Sequence, residues 1–435
     1  MVPTRRLWTL LLLGVPLGAV FAYIGSPWLL AAYDGVLLLA AYGTWRLAPS
    51  FRGLRVQRRF DPVLSVRVAN RIELVVSNDG AERIVCRLRD EPPPPFHAQS
   101  REFSLRLEPG KEKRLAYWVT PGARGSDYFR GTFVRIRCPL GLVERQTRLP
   151  TEQPVRVYPN VLALREFDLL RQKGMLRQMG IRRSRMRGLG TEFESLREYS
   201  EGDDYRKIDW KATARRGKLV VRQFEQERNQ AVMLCVDVGR NMLSEAEGVT
   251  KLDHALDACL MLANAAAASG DRIGLLVYGD FVRRYIPPGK GRSQVGAVIE
   301  ALHDLAAEPV ASDPVSAFAY FESRWKRRSL VVVFTDAEDE EEAGKLRAAL
   351  GALPRRHLAL IARVADPKLE EVAYAPIDSP ESMYGKAASL LFLTDRRKAG
   401  SALGAAGLHS LEAEPQDLAA ALVSYYFQAK ERSLV

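Results

Sequence analysis

The sequence predicts an N-terminal transmembrane helical hairpin, then a small all-β sandwich, then a doubly wound α/β domain. Three observations carry this. Two apolar runs, Leu7–Ile24 and Trp28–Trp45, open the chain. Alternation with a period of two fills Asp61–Pro159. From Ala231 onward, short apolar runs alternate with helical patterns. The boundaries on this reading are 1–50 for the two helices, 51–160 for the sandwich, 161–230 for a basic linker and a charged segment, and 231–435 for the α/β domain.

Each apolar run has about the 20 residues that a helix needs to cross a bilayer. Gly25-Ser26-Pro27 separates them. Arg5 and Arg6 precede the pair, and Arg46, Arg52 and Arg55 follow it. Positive charge on both flanks predicts a hairpin with both ends in the cytoplasm. Trp8, Trp28, Tyr42 and Trp45 sit near the run ends, where interfacial aromatics belong. A second span directly behind the first argues against a signal peptide. Asp34 is either a functional intramembrane acid or a group that finds a partner within the hairpin or an oligomer.

The chain has 435 residues, a net charge of +12 and a pI near 9.6. That length exceeds one ordinary core, and the charge favours anionic surfaces, headgroups or nucleic acid. The four cysteines, Cys86, Cys138, Cys235 and Cys259, form no C-x-x-C pair and lie apart from the five histidines. This pattern argues against zinc and for reduced, partly buried thiols.

In the sandwich region, Ile72, Leu74 and Val76 alternate with Arg71, Glu73 and Val75, and Asn78-Asp79-Gly80 is a hairpin signal. Ile84, Cys86 and Leu88 form the next strand, stopped by Pro92–Pro95. Phe103–Leu107, Leu115–Val119, Thr132–Arg137 and Val155–Tyr158 complete the set. No polar constellation stands out, so a spacer or docking module is expected.

Leu162–Gly190 is basic: Arg165, Arg171, Lys173, Arg177, Arg182, Arg183, Arg185 and Arg187. It reads as a solvated connector, with contact to anionic lipid or nucleic acid as the alternative. Acids accompany the aromatics after Gly190, which makes nucleic acid an unfavoured partner.

The run REYSEGDDYRKIDWKATARRGKLVVRQFEQER, Arg197–Arg228, is dense in both signs of charge, with large aromatics spaced through it. It resembles the bacterial "domain of unknown function 58" family. The resemblance implies a membrane-anchored protein of the bacterial inner membrane, of a kind that often works beside a MoxR-type AAA+ ATPase. It also implies a C-terminal domain similar to von Willebrand factor A (vWA) domains, and it brings no enzymatic activity. Balanced charge with exposed-type aromatics fits an interaction surface, with Arg197, Tyr205, Asp209 and Trp210 as its expected residues.

In the last region, Val232–Val236, Arg272–Tyr278 and Leu330–Thr335 read as strands. Phe281–Ile286 reads as an antiparallel edge strand, with His357–Ile361 and a weak strand near Gly407–Leu411 beyond. Thr250 caps a helix over Lys251–Ala268, and Asp313-Pro314 opens another through Trp325. Ser293–Leu305, Glu340–Leu353 and a segment from Gln416 complete the helices.

Ligands of such sheets bind beyond the carboxyl ends of the strands, at the point where strand order reverses. Asp237 and Asp336 each follow an apolar strand there. The metal motif of the resembled fold is D-x-S-x-S, a threonine on a second loop and an aspartate on a third. Here Asp237-Val238-Gly239-Arg240-Asn241 keeps the aspartate, loses one hydroxyl at Gly239 and offers an amide at Asn241. Ser312 or Asp313 stands on the second loop and Asp336 on the third. A degenerate site of Asp237, Asn241 and Asp336 is expected, holding Mg²⁺ or Mn²⁺ weakly or not at all, with Arg240 a candidate for neutralising the acids instead. No G-x-G-x-x-G, P-loop or Ser/Cys/His nucleophile arrangement is present, and Glu338–Glu342 reads as a helix start favoured by the dipole.

These features predict a non-enzymatic, membrane-tethered interaction protein acting with the ATPase in assembly or maturation of a membrane complex. The alternatives are a metal-dependent hydrolase at the Asp237/Asp336 crevice, or a lipid or nucleic-acid binder through the linker.

Overall fold

The computed structural model describes all residues except 1, 27, 173–174, 176–180, 182–191, 201–204, 206–207, 226–229, 352, 354–356 and 433–435, and all side chains beyond these except 162, 192–195, 197 and 222–225. The chain divides into two compact units, Met1–Tyr158 and Pro159–Val435. Lys173, Arg177, Arg182, Arg183, Arg185 and Arg187 of the expected linker lie outside the described residues.

The first unit begins with two helices, Arg5–Tyr23 and Trp28–Arg46. Small residues let them approach: a Cβ on Gly18 would stand 3.0 Å from the Leu30 side chain, and one on Gly14 would stand 3.4 Å from Tyr33. Tyr33 donates its hydroxyl to Leu10 O at 2.8 Å, and Asp34 faces the first helix at Gly14. Among the described residues, one helix, Arg5–Tyr23, is long and apolar enough to cross a membrane; a signal sequence has the same character. The second helix is also 19 residues long and carries Asp34 in its middle.

Behind the helices stand a five-stranded and a four-stranded sheet, with a smaller three-stranded one. In the five-stranded sheet, Thr132–Arg137 pairs with both Val143–Leu149 and Ile84–Arg89, and Ile84–Arg89 pairs in turn with Glu102–Leu107, all antiparallel. Alternate residues such as Ile72, Leu74, Cys86, Leu88, Val134 and Ile136 turn inward to form one core. Buried at its edge, Asp90 accepts from Arg58 Nε (3.0 Å), Arg58 Nη2 (2.5 Å), Tyr117 Oη (2.5 Å) and Thr132 Oγ1 (3.0 Å). Thr4, which caps the first helix, donates its hydroxyl to Gly141 O and Leu142 O, tying that helix to the sandwich.

The second unit is built on a six-stranded sheet. We label its strands β1 (Ala231–Asp237), β2 (Arg272–Tyr278), β3 (Val282–Gly289), β4 (Leu330–Phe334), β5 (Leu358–Val364) and β6 (His409–Ala413). Their order is β3-β2-β1-β4-β5-β6, parallel except for the edge strand β3. The helices are α1 (Lys251–Ala268), α2 (Arg292–Leu302), α3 (Pro314–Arg324), α4 (Glu340–Leu350), α5 (Pro367–Tyr374), α6 (Pro380–Ala405) and α7 (Leu418–Glu431). Val232, Leu234 and Val236 face a core with α1, α2 and α7, while Met233 and Cys235 face one with α3, α4 and α6. Burial on both faces explains why β1 and β4 read as unbroken apolar runs.

Helices not expected from the sequence include Val161–Gln172, Trp210–Arg216, α5 and α6. Val161–Gln172 lies within the expected linker, yet its Leu164 and Phe167 are buried in the unit's core. The 26-residue helix α6 occupies a stretch where no element was expected. All four cysteines are buried and free.

Candidate functional site

Strand order reverses between β1 and β4, so the loops after these strands bound a crevice at the carboxyl edge of the sheet. Its pocket, about 50 Å³ in volume, is lined by Asp237, Asn241, Ser312, Thr335, Glu342 and Lys345 among others. This is room for a few waters.

Asp237 ends β1 and is buried. Its Oδ1 accepts from Ser312 Oγ at 2.5 Å and from Gly239 N at 2.8 Å, and its Oδ2 accepts from Thr335 Oγ1 at 2.6 Å. All three donors are neutral. Burial raises the Asp237 carboxyl above its ordinary range; the donors from Ser312, Thr335 and Gly239 offset part of this, and the charge of Glu342 adds to it.

Gly239 has no room for a side chain. A Cβ there would overlap Ser312 Oγ and stand 3.0 Å from Val310 O. The Ser312 hydroxyl therefore fills the place beside Asp237 that a side chain at 239 would need.

Asp336 has a different fate. Its side chain is buried and meets three cations: Lys251 Nζ, Arg396 Nη1 at 2.9 Å and Arg363 Nε at 3.5 Å. Burial alone would raise this carboxyl; Arg396, Lys251 and Arg363 together outweigh it and hold Asp336 below the usual carboxylate range. Arg363 and Arg396 also reach Glu412, at 3.7 and 2.9 Å, and Lys251 reaches Glu338 at 3.7 Å. This network joins α1, the end of β4, β5, α6 and β6.

Asp237, Asn241 and Asp336 are thus not assembled as a metal shell. Asp336 spends its oxygens on cations, and Asn241 presents its amide nitrogen to Asp336 O (2.9 Å) and Glu342 Oε2 (2.5 Å). A hard divalent ion wants about six oxygens. Among the described residues, no group of three or more His, Cys, Asp or Glu side chains is placed to hold one. Arg240 does not neutralise the two aspartates; it pairs with Glu342 at 3.2 Å.

The acid that faces Asp237 across the crevice is Glu342, which the sequence placed only in a helix start. Its Oε2 also accepts from Glu338 N at 3.2 Å. Asp339 holds the capping role of α4, accepting from Glu342 N at 2.8 Å. Asp339 precedes Glu342 by three residues, which marks Asp339 as the N-cap, but no local signal directs Glu342 towards Asn241.

The expected interaction residues fall in a small module of its own. Strands Glu192–Glu198 and Val220–Glu225 form an antiparallel hairpin that encloses the helix Trp210–Arg216. Trp210 is 67% and Tyr205 69% exposed, and Tyr205 stacks at 5.5 Å on Tyr199. Asp209 is the helix N-cap, accepting from Ala212 N at 3.0 Å, so part of its role is structural. Arg197 lies opposite Val221 in the hairpin, and its side chain lies outside the described residues.

This hairpin lies at the start of a stretch that matches a known family model. Residues 195–381 match the model of the family "Protein of unknown function DUF58". Asp237, Ser312, Asp336, Glu342 and Trp210 all lie inside the DUF58 match. The "Uncharacterized protein Rv1480" of Mycobacterium tuberculosis (strain ATCC 25618 / H37Rv) is 27% identical over 185 residues, 42% of this chain and 57% of the relative. The "Uncharacterized protein YeaD" of Bacillus subtilis (strain 168) is 26% identical over 125 residues, 28% of this chain and 30% of the relative. The chain thus spans little more than half the length of the first of these relatives. Among solved structures, the CARDB domain of the PF1109 protein from Pyrococcus furiosus is similar at 19% identity and a TM-score of 0.18, over 24% of this chain and 86% of that one. A FixG-related protein from Vibrio parahaemolyticus follows at 12% identity and a TM-score of 0.18, over 24% of this chain and 96% of that one. TM-scores this low carry no argument about fold or function.

Proposed function

We propose that this protein is a membrane-tethered, non-enzymatic docking protein whose partner is a MoxR-type AAA+ ATPase, acting in assembly or maturation of a membrane complex. The observation that carries the reading is the exposure of Trp210 and Tyr205 on one short module. Large aromatics of this kind anchor interfaces when a partner desolvates them. The crevice supports the same reading. Asp237 accepts three hydrogen bonds from neutral donors, and the described lining of its pocket holds neither His nor Cys.

On this reading the second unit is a vWA-like domain with a degenerate metal motif, and the helices Arg5–Tyr23 and Trp28–Arg46 enter the bacterial inner membrane as a hairpin with the rest of the chain in the cytoplasm. Support comes from the parallel sheet with one antiparallel edge, and from the arginines flanking the helix pair.

The deciding experiment is a crosslinking pull-down from native membranes, with wild type beside Trp210→Ala and Tyr205→Ala. An AAA+ ATPase captured by the wild type and lost from the variants is the expected result. Equal capture by all three would remove the aromatic surface from the account. Protease added to intact right-side-out cells should leave the region after Arg46 uncut; digestion there would overturn the orientation.

A further inference from the structure

The outward face of the five-stranded sheet in the first unit carries a row of exposed arginines. Strand alternation sets it. Arg87 and Arg89 point outward from Ile84–Arg89, Arg106 from Glu102–Leu107, and Arg135 and Arg137 from Thr132–Arg137, while their neighbours Cys86, Leu88, Leu105, Val134 and Ile136 are buried. Register brings them together. Arg135 lies opposite Arg87, and Arg106 lies opposite Val85. Neighbouring strands are about 4.8 Å apart and alternate residues about 6.8 Å apart, so four guanidinium groups share one patch.

One groove of about 200 Å³ opens there, lined by Val85, Arg87, Arg106, Arg135, Arg137 and Glu144 among others. Four arginines face one glutamate. Glu144 is engaged by Arg87 at 2.9 Å, and Arg135 Nε donates to Gln146 at 2.9 Å. Among the described residues, Arg106 and Arg137 have no acidic partner within ion-pair distance. A sheet face with this excess of cations is unfavourable until an anion joins it.

The groove also has a place relative to the apolar helix. Arg6, in the first turn of Arg5–Tyr23, has its Nη1 3.5 Å from the point where a Cβ on Gly141 would stand, and Arg137 Cδ lies 3.8 Å from the same point. The start of that helix and the end of the arginine row therefore meet at Gly141. Val2–Pro3, just before the helix, pairs with Val143–Leu149 of the same sheet.

We propose that this groove binds the phosphate of an anionic phospholipid headgroup, with Arg106 and Arg137 as its principal contacts and Arg87 and Arg135 flanking. The inference rests on the reading that the helix enters a bilayer, which puts Arg137 at headgroup level. Guanidinium forks match phosphate oxygens in bidentate fashion, and basic pockets beside membrane helices favour such headgroups. A nucleic-acid groove would want aromatic platforms for the bases. The groove lining contains no aromatic residue.

The test uses the full chain in a neutral detergent, mixed with equal amounts of phosphatidylglycerol and phosphatidylcholine. Retained lipid is quantified by mass spectrometry after repurification. Wild type should retain phosphatidylglycerol preferentially. Arg106→Gln/Arg137→Gln should lower that retention on the order of ten-fold, while Arg148→Gln, farther along the same face, should not change it. Matching circular dichroism of the variants guards against misfolding, and Arg106→Lys/Arg137→Lys, which keeps the charge, should lie between. Equal retention of the two lipids by the wild type, or no loss in the double variant, overturns the proposal. So does displacement of the lipid by millimolar inorganic phosphate or by single-stranded DNA. Alkaline extraction of native membranes keeps the two readings apart: release of the protein defeats the bilayer placement, and the detergent assay still reads the groove.

Discussion

Lys251 and Asp336 form an ion pair with both side chains buried, 85 residues apart in sequence. Arg363 and Arg396 complete the shell around the same carboxylate. Removing the anion leaves three buried cations without their shared partner. Asp336→Ala should therefore destabilise the second unit by about 3–5 kcal/mol, as the loss of one partner of a buried pair does. Glu340→Ala, on the exposed start of α4, should stay within about 0.5 kcal/mol of wild type. Denaturant melts of the two variants check this. A mild Asp336→Ala phenotype would mean that the network is not organising the fold.

Gly239 and Ser312 should show a coupled effect. Gly239→Ala alone forces Ser312 Oγ aside and should cost about 1–3 kcal/mol. Ser312→Ala removes the obstructing atom, so the double variant should recover part of that cost. A double-mutant cycle measures it, and strictly additive losses would contradict the overlap. The same overlap means that Gly239→Ser does not simply create a D-x-S-x-S metal motif.

Asp237 sets a pH dependence. Its folded-state carboxyl titrates above the ordinary value, so its protonated form is favoured by folding. The resulting stabilisation is fully present below the unfolded pKa of about 3.9 and is lost as pH rises through the folded value. Asp237→Asn keeps the shape without the charge, and the hydroxyls of Ser312 and Thr335 can turn to accept from an amide. Relative to wild type, the melting temperature of Asp237→Asn should rise between pH 4 and pH 7. A difference that is flat across this range would show that Asp237 is not strained by its burial.

Divalent ions should not stabilise the wild type. With Asp336 committed to cations, millimolar Mg²⁺ or Mn²⁺ should leave the melting temperature unchanged, and chelator should have no effect. A clear upward shift with either ion would show that Asp237, Ser312 and Glu342 coordinate it after all.

The sequence showed much of the second unit because β1, β2 and β4 are buried on both faces and carry almost no polar residue. Thr250 and Asp313 marked helix starts by side chains that do accept from backbone amides in the structure. Helix α6 was hidden for the opposite reason. Leu393, Ala399 and Leu403 turn inward, while Tyr384 and Leu391 are exposed, so no single apolar stripe announces it. The site was half legible. Asp237 could be placed at a strand end, but the destination of Asp336 depended on Arg363 and Arg396, which are distant in sequence and carry no local signal. The pairing of Glu342 with Asn241 is hidden in the same way.

The four sequestered thiols turn the molecule into its own unfolding gauge. Cys86 and Cys138 lie in the first unit, Cys235 and Cys259 in the second. Burial pushes the Cys86 thiol up to about 11 and raises the Cys235 and Cys259 thiols as well, so little reactive thiolate is available while the fold is closed. Alkylation must then wait for local opening. Following each cysteine by peptide mass in mild denaturant reports the opening equilibrium of either unit separately, without an introduced probe. A chain that melts in one step by circular dichroism would reveal by this means whether its two units open together or in turn.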